Sequence, residues 1–219
     1  MMGAQHLVAD PGRRRFLLAG AALGGGLLVG CSAPTPEDRL GSPDVLPVRQ
    51  GHVALNGWVR IATDGTVTVA VPRAEMGQGV FTALPLLLAE ELDADWGDVR
   101  AEPAPVDRIY ANQAMMLNAL PFGVEEDGWL VRAGSAALER LGSVLSLQAT
   151  GGSSSIRDAW GPLRVAGATA RAMLVQVAAR RWQVDASACR TEAGRVIHPD
   201  GQRKLDRKST RLNSSHITI

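Results

Sequence analysis

Apolar and polar positions between residues 56 and 205 divide into short β-rich runs and longer stretches of helical spacing. Residues 58–62 (WVRIA) and 66–71 (TVTVAV) are rich in β-branched side chains and flank Thr63-Asp64-Gly65. An Asp-Gly pair between two such runs predicts a hairpin. The second run ends at Pro72. An apolar stretch from Thr82 to Leu92 then predicts a helix, with Pro85 near its first turn, where a missing N–H costs little. Val99–Glu102 reads as a further short strand, and residues 111–130 as irregular. Leu130–Leu147 has helical spacing, with Leu138, Leu141 and Leu145 on one face. A long helix is predicted from about Ile156 to Trp182, its start marked by Ser155 and Asp158 in capping-box spacing. Its apolar stripe, Leu163, Ala166, Gly167, Ala170, Leu174, Val177 and Ala178, is rich in small residues and suits close packing. Gly161-Pro162 is placed to kink it. Residues 189–196 predict a last hairpin around Ala193-Gly194. The fold class expected is α+β, with short hairpins and strands packed against amphipathic helices.

The first 30 residues follow another pattern. Arg13-Arg14-Arg15-Phe16-Leu17-Leu18 matches a twin-arginine export signal, and residues 17–29 contain only Ala, Gly, Leu and Val. That run is too short to cross a hydrocarbon core of ~30 Å as a helix. Its glycines disfavour a buried core helix. Basic flank, short apolar run and small residues together read as a secretion signal, with Arg13 and Arg14 as its recognition pair. Residues 28–31 (LVGC) also resemble a lipobox, which would make Cys31 a lipidation site; a plain signal containing a cysteine, or an uncleaved anchor, is the alternative. Residues 31–55, with prolines at 34, 36, 43 and 47, read as a linker.

Composition changes the picture at the other end. The chain has 219 residues and a net charge of +1. Residues 1–30 and 206–219 each carry an excess of positive charge, so the body between them is mildly acidic. That excludes the basic stripe of a nucleic-acid-binding surface. Both lysines, Lys204 and Lys208, lie near the C-terminus, and residues 206–219 (DRKSTRLNSSHITI) depart from the Ala-, Gly- and Arg-rich body. So abrupt a shift reads as a non-native tail, expected to be disordered. Cys31 and Cys189 are too few for a disulfide framework or a metal cluster. Cys189 reads as a small buried hydrophobe.

Candidate chemistry lies in two glycine loops, each ahead of a predicted helix. The first is Glu75-Met76-Gly77-Gln78-Gly79-Val80, the second Thr150-Gly151-Gly152-Ser153-Ser154-Ser155. Glycine permits positive φ and close backbone approach. Consecutive N–H groups at a helix start make an anion cradle. Ser hydroxyls and the Gln78 amide add hydrogen-bonding groups. Residue chemistry alone leaves two readings open: sites for a phosphate or polar heterocycle, or a turn and a linker with an N-cap.

The ordered succession from Ala74 to Trp96 (AEMGQGVFTALPLLLAEELDADW), then Tyr110-Ala111-Asn112, then residues 150–174 (TGGSSSIRDAWGPLRVAGATARAML), resembles the molybdopterin-binding subunit of the xanthine dehydrogenase family. Within it, the isoquinoline 1-oxidoreductase and membrane-bound aldehyde dehydrogenase type is most similar. The resemblance covers about residues 56–205, and the spacing between Asn112 and Thr150 is longer than usual for the family. It implies part of a larger molybdopterin-binding domain. It also implies oxidation of aldehydes or N-heterocycles with water as oxygen source. The cofactor implied is molybdopterin cytosine dinucleotide. Gly77, Gln78, Gly79 and Val80 would hold one side of it and Gly151, Gly152, Ser153, Ser154 and Ser155 the other. Electrons would pass to a small [2Fe-2S] subunit and on to an acceptor such as a cytochrome c. The family's catalytic glutamate lies near the end of a much longer chain. None of Glu75, Glu90, Glu91, Glu125 or Glu126 matches its motif, so no catalytic residue is assigned, and the chain is expected to be an inactive N-terminal fragment of a periplasmic enzyme.

Two expectations follow for the structure. The two loops should converge, with their N–H groups facing one cleft. Leu163, Leu174 and Val177 should be uncovered, as surface that the rest of a longer protein would bury. A small exported anion-binding lipoprotein, or an exported domain without ligand, is the alternative reading of the chain.

Overall fold

The computed structural model describes residues 35–118 and 129–206; the signal, Cys31 and tail residues 207–219 lie outside these. The first sheet contains β1 (His52–Ala54), β2 (Val59–Ala62), β3 (Val67–Val71) and β4 (Val99–Pro103), in that order. β2 and β3 form the expected hairpin, Ile61 facing Val67. Asp64 accepts the Thr66 N–H at 2.8 Å, and Gly65 supplies the positive φ, +97°, that closes the turn. β4 lies parallel to β3, which requires a crossover, and α1 (Val80–Leu92) provides it. β2 and β3 are buried throughout, as central strands covered on both faces must be.

The long helix is α4 (Ser155–Trp182), and it packs along α1. Leu84 and Leu88 of α1 meet the small-residue stripe of α4 in a continuous core with Ile61, Val67 and Val69. Gly167 shows how close the helices come: a Cβ there would sit 2.4 Å from the Leu88 carbonyl oxygen and 2.9 Å from Glu91 Cβ. Asn56 donates to the Ala166 carbonyl at 3.0 Å, pinning the entry to β2 onto the same helix. Trp58 is wholly buried, donates its indole N–H to Arg39 O at 2.7 Å, and meets Tyr110 edge-on. Pro162 lies inside α4 without ending it, and Pro85 sits one turn inside α1 because that helix begins earlier than expected.

A second sheet caps the other end of α4. β5 (Arg190–Glu192), β6 (Arg195–Ile197) and β7 (Lys204–Asp206) are antiparallel, with Ala193-Gly194 at the predicted turn. Gly194 donates to the Asp93 carbonyl at 2.6 Å, joining this sheet to the end of α1. Two further helices, α2 (Gln113–Leu117) and α3 (Trp129–Val144), lie between the sheets in sequence. The mixed architecture is the α+β class expected.

Several expectations are corrected. Leu163, Leu174 and Val177 are buried, not exposed; Leu163 and Leu174 belong to the core that α4 shares with α1 and the first sheet. Leu141 and Leu145 are exposed instead, so that face of α3 is uncovered by the described residues. Residues 111–130 were expected to be irregular, but the Asn112 side chain caps α2 by accepting the Met115 N–H. Within residues 31–55, read as a linker, Arg39 and Leu46 are buried and β1 forms. Cys189 is half-buried rather than buried, and burial pushes its thiol above the usual range. Replacing Gly167 by Ala should cost about 1–3 kcal/mol in urea unfolding, because the obstacle is backbone that cannot turn aside; an unchanged midpoint would show that α1 and α4 are free to separate.

Candidate functional site

Both glycine loops open a helix, and the structure brings them together. The first follows β3 and leads into α1 at Gly79, the N-cap residue; the second leads into α4 at Ser154. The Ala74 N–H donates to the Thr150 hydroxyl at 2.9 Å, joining the base of one loop to the start of the other across 76 positions of sequence.

A buried ion cluster beneath the loops holds them there. Asp158, in the first turn of α4, accepts from Arg39 at 2.9 Å and from Arg73 at 2.5 Å, all three side chains being almost wholly buried. Its other oxygen takes the N–H groups of Gln113 at 2.8 Å and Ala114 at 3.1 Å, the start of α2. The guanidinium groups also donate to backbone, Arg39 to Ile109 O and Ala111 O and Arg73 to Pro72 O and Tyr110 O, while the buried Arg73 Nε has no partner among the described residues. Burial lowers the affinity of Arg73 for its proton, opposed by the adjacent Asp158 charge. Arg73 stands two residues before Glu75, so the cluster anchors the first loop from below while Asp158 anchors the second.

The two loops differ in their donors. In the first, the Glu75 carboxylate folds back over its own loop. It accepts from the N–H groups of Gly77 at 2.8 Å, Gly79 at 3.0 Å and Phe81 at 2.9 Å. These bonds, Phe81 and Gly79 foremost, hold the Glu75 carboxyl below the usual carboxylate range. Gln78 also serves its own loop, accepting the Met76 N–H at 2.5 Å and donating to Ala74 O at 2.8 Å. Gly77 and Gly79 have φ of +92° and +80°, and a Cβ on either would meet nothing within 4 Å. Residues 75–79 are exposed, whereas the Val80 side chain is buried in the core and can offer only backbone.

In the second loop the backbone donors are largely unspent. Gly152, Ser153, Ser155 and Ile156 have N–H groups without a partner among the described residues. Gly152 and Ser153 adopt left-handed conformations, φ +59° and +50°. Ser154 is buried; its hydroxyl donates to Gly151 O at 2.6 Å and accepts from Asn112 at 2.8 Å, fixing the loop from within. Asn118 donates to Gly152 O at 3.0 Å. The predicted capping box between Ser155 and Asp158 is not formed, because Asp158 turns inward to the two arginines.

The expectation of two equivalent N–H cradles is therefore corrected. The loops meet through the Ala74–Thr150 bond, but in the first Glu75 takes the Gly77, Gly79 and Phe81 N–H groups and leaves the Val80 N–H without a partner among the described residues, whereas the second leaves four at a helix start, where an anion is stabilised. Sequence reasoning missed the cluster of Arg39, Arg73 and Asp158, since its members lie 34 and 85 positions apart and only Asp158 sat in a motif. It also passed over Glu75, although a carboxylate two residues before Gly-x-Gly is placed to reach those N–H groups. Among the described residues no group of three or more His, Cys, Asp or Glu side chains is placed to hold a metal ion, and no helix there is long and apolar enough to cross a membrane. Thr150→Val should free the Ala74 N–H and cost about 0.5–1 kcal/mol, with faster exchange of that amide; unchanged exchange would show that the loops are not coupled through it.

No protein-family model matches the chain. Over 152 residues, 69% of this chain, it is 39% identical to the isoquinoline 1-oxidoreductase subunit beta of Brevundimonas diminuta. Over 194 residues, 89% of this chain, it is 28% identical to the membrane-bound aldehyde dehydrogenase [pyrroloquinoline-quinone] of Gluconacetobacter polyoxogenes. The aligned parts span 16% and 20% of those proteins' own lengths. The chain is a relative of these oxidoreductases, and corresponds to a small part of each.

Proposed function

We propose that the chain supplies part of the cofactor-binding region of a molybdenum-dependent oxidoreductase acting on aldehydes or N-heterocycles, with a molybdopterin dinucleotide lying across the two glycine loops. One observation carries the reading: two glycine loops at helix starts are joined by the Ala74–Thr150 hydrogen bond. The residues present fit such a group in an unequal way. The unpartnered N–H groups of Gly152, Ser153, Ser155 and Ile156 suit a diphosphate. The first loop offers open space above Gly77 and Gly79, a ledge for a flat heterocycle. The cofactor would supply the redox chemistry; this chain would bind and orient it. No residue here is assigned as acid or base.

The wider expectations belong to the same proposal. Arg13 and Arg14 would direct export of the folded, loaded protein to the periplasm, and Cys31 would carry a lipid if the lipobox is used. A [2Fe-2S] subunit would receive the electrons and a cytochrome c is the acceptor proposed. The second relative's name carries pyrroloquinoline quinone, so cofactor analysis has two readouts.

The test is to purify the full-length protein and measure molybdenum, cytidine nucleotide and quinone content. Stoichiometric molybdenum with cytidine nucleotide is expected; quinone without molybdenum would overturn the reading. Gly79→Val should abolish retention, since a β-branched side chain resists the left-handed φ the loop requires. Gln78→Ala should weaken binding by about 1–3 kcal/mol, because the loop loses both bonds that keep its shape. Normal cofactor content in Gly79→Val would show the first loop to be only a turn.

A further inference from the structure

The start of α1 presents the donor set that binds phosphate elsewhere: glycine-rich backbone, left-handed φ values and N–H groups pointing away from a helix. Those N–H groups are already spent on a carboxylate from the same loop, and the start of α4 has no such carboxylate. Asp158, the one acid in its first turn, is buried and turned away toward Arg39 and Arg73. Both loops carry two glycines and stand before a helix; the second is held by the buried Ser154 hydroxyl and Asn112, the first by Gln78 and the Glu75 carboxylate, and Glu75 supplies the charge that separates them.

We infer that Glu75 is a specificity-determining residue: it acts as a built-in anion that closes the first loop to phosphate and leaves the diphosphate of a bound cofactor to the second loop. The inference rests on the reading that one cofactor spans both loops, and it adds the direction in which that cofactor lies. A phosphate approaching Gly77, Gly79 and Phe81 would have to displace Glu75 from three hydrogen bonds of 2.8–3.0 Å and face its negative charge. A neutral heterocycle meets no such conflict, since the space above Gly77 and Gly79 is open. Glu75 therefore keeps the loop's backbone in shape without ligand and orders the two ends of the cofactor.

The probe is inorganic pyrophosphate, titrated into the ¹⁵N-labelled chain while the amide resonances of both loops are followed. In the wild type, pyrophosphate should move the amides of Gly152, Ser153, Ser155 and Ile156 and leave Gly77, Gly79 and Phe81 in place. In Glu75→Ala the first-loop amides should begin to respond, with at least about a tenfold gain in apparent affinity there. Glu75→Gln, which keeps one carbonyl acceptor but no charge, should show a smaller gain and covers the case in which the alanine variant loses the loop. A structural role alone would lower stability without creating an anion site. Wild-type shifts at Gly77, Gly79 and Phe81 would overturn the inference, as would two variants whose first-loop amides stay unmoved. If only the variants bind, and only at the first loop, the role of Glu75 stands and the assignment of phosphate to the second loop falls. Molybdenum content of the full-length protein is a separate readout, so failure of the functional proposal is distinguishable.

Discussion

Asp158 is a single carboxylate buried between two guanidinium groups, and the arrangement of both glycine loops depends on it. A charge inside a protein must be paired and its remaining lone pairs satisfied. Asp158 meets that demand with Arg39, Arg73 and the first N–H groups of α2. Each partner comes from a different part of the chain: the segment before β1, the loop after β3, and the turn following Tyr110. Satisfying one acid therefore fixes three backbone segments against the start of α4. Such a cluster is weak evidence for stability as such, since well-packed apolar groups can replace buried ion pairs at no loss. Its contribution is geometric: guanidinium forks accept few arrangements, and here they set where the loops stand.

Above that anchor the loops diverge. Glu75 and Gln78 satisfy the first from within, so it holds its shape with no ligand. Ser154 and Asn112 fix the second from below and leave its outer N–H groups free. One loop is a closed ledge and the other an open cradle, joined by the Ala74–Thr150 bond. The packed helices α1 and α4 carry both, with Gly167 against the Leu88 backbone setting their separation. Glu139 on α3 borders the cluster; desolvation and the Asp158 charge raise its affinity for a proton, so its ionised form disfavours the fold as pH rises through that value.

What was legible in the sequence was local. The Asp-Gly hairpin, the Ala-Gly hairpin and the stripe of α4 follow from period and turn chemistry, and each stands in the structure. The convergence of the loops came from the family resemblance, not from spacing. What was not legible depends on contacts across long separations. Arg39 sat among prolines and charges and read as linker, because nothing local shows that a guanidinium will be buried by a helix more than a hundred residues away. Ser155 and Asp158 match a capping pattern, but Asp158 turns inward to two buried arginines and the first N–H groups of α2. Leu163, Leu174 and Val177 read as surface only if the chain is a fragment; the described residues bury all three, Leu163 and Leu174 in the core shared with α1. Glu75 lies within the first motif, yet only the three-dimensional turn shows its carboxylate facing the N–H groups of its own loop.

The most direct measurement is hydrogen exchange of backbone amides in Asp158→Ala. Removing one partner of a buried ion pair leaves uncompensated charge and costs about 3–5 kcal/mol. If Asp158 positions both loops, the amides of Ala74, Gly77 and Gly79 should lose protection together with those of Gln113 and Ala114. The β5–β7 sheet should open no more than the global loss of stability requires. Loss of protection confined to the first turn of α4, with the Ala74 and Gly79 amides unchanged, would contradict the account.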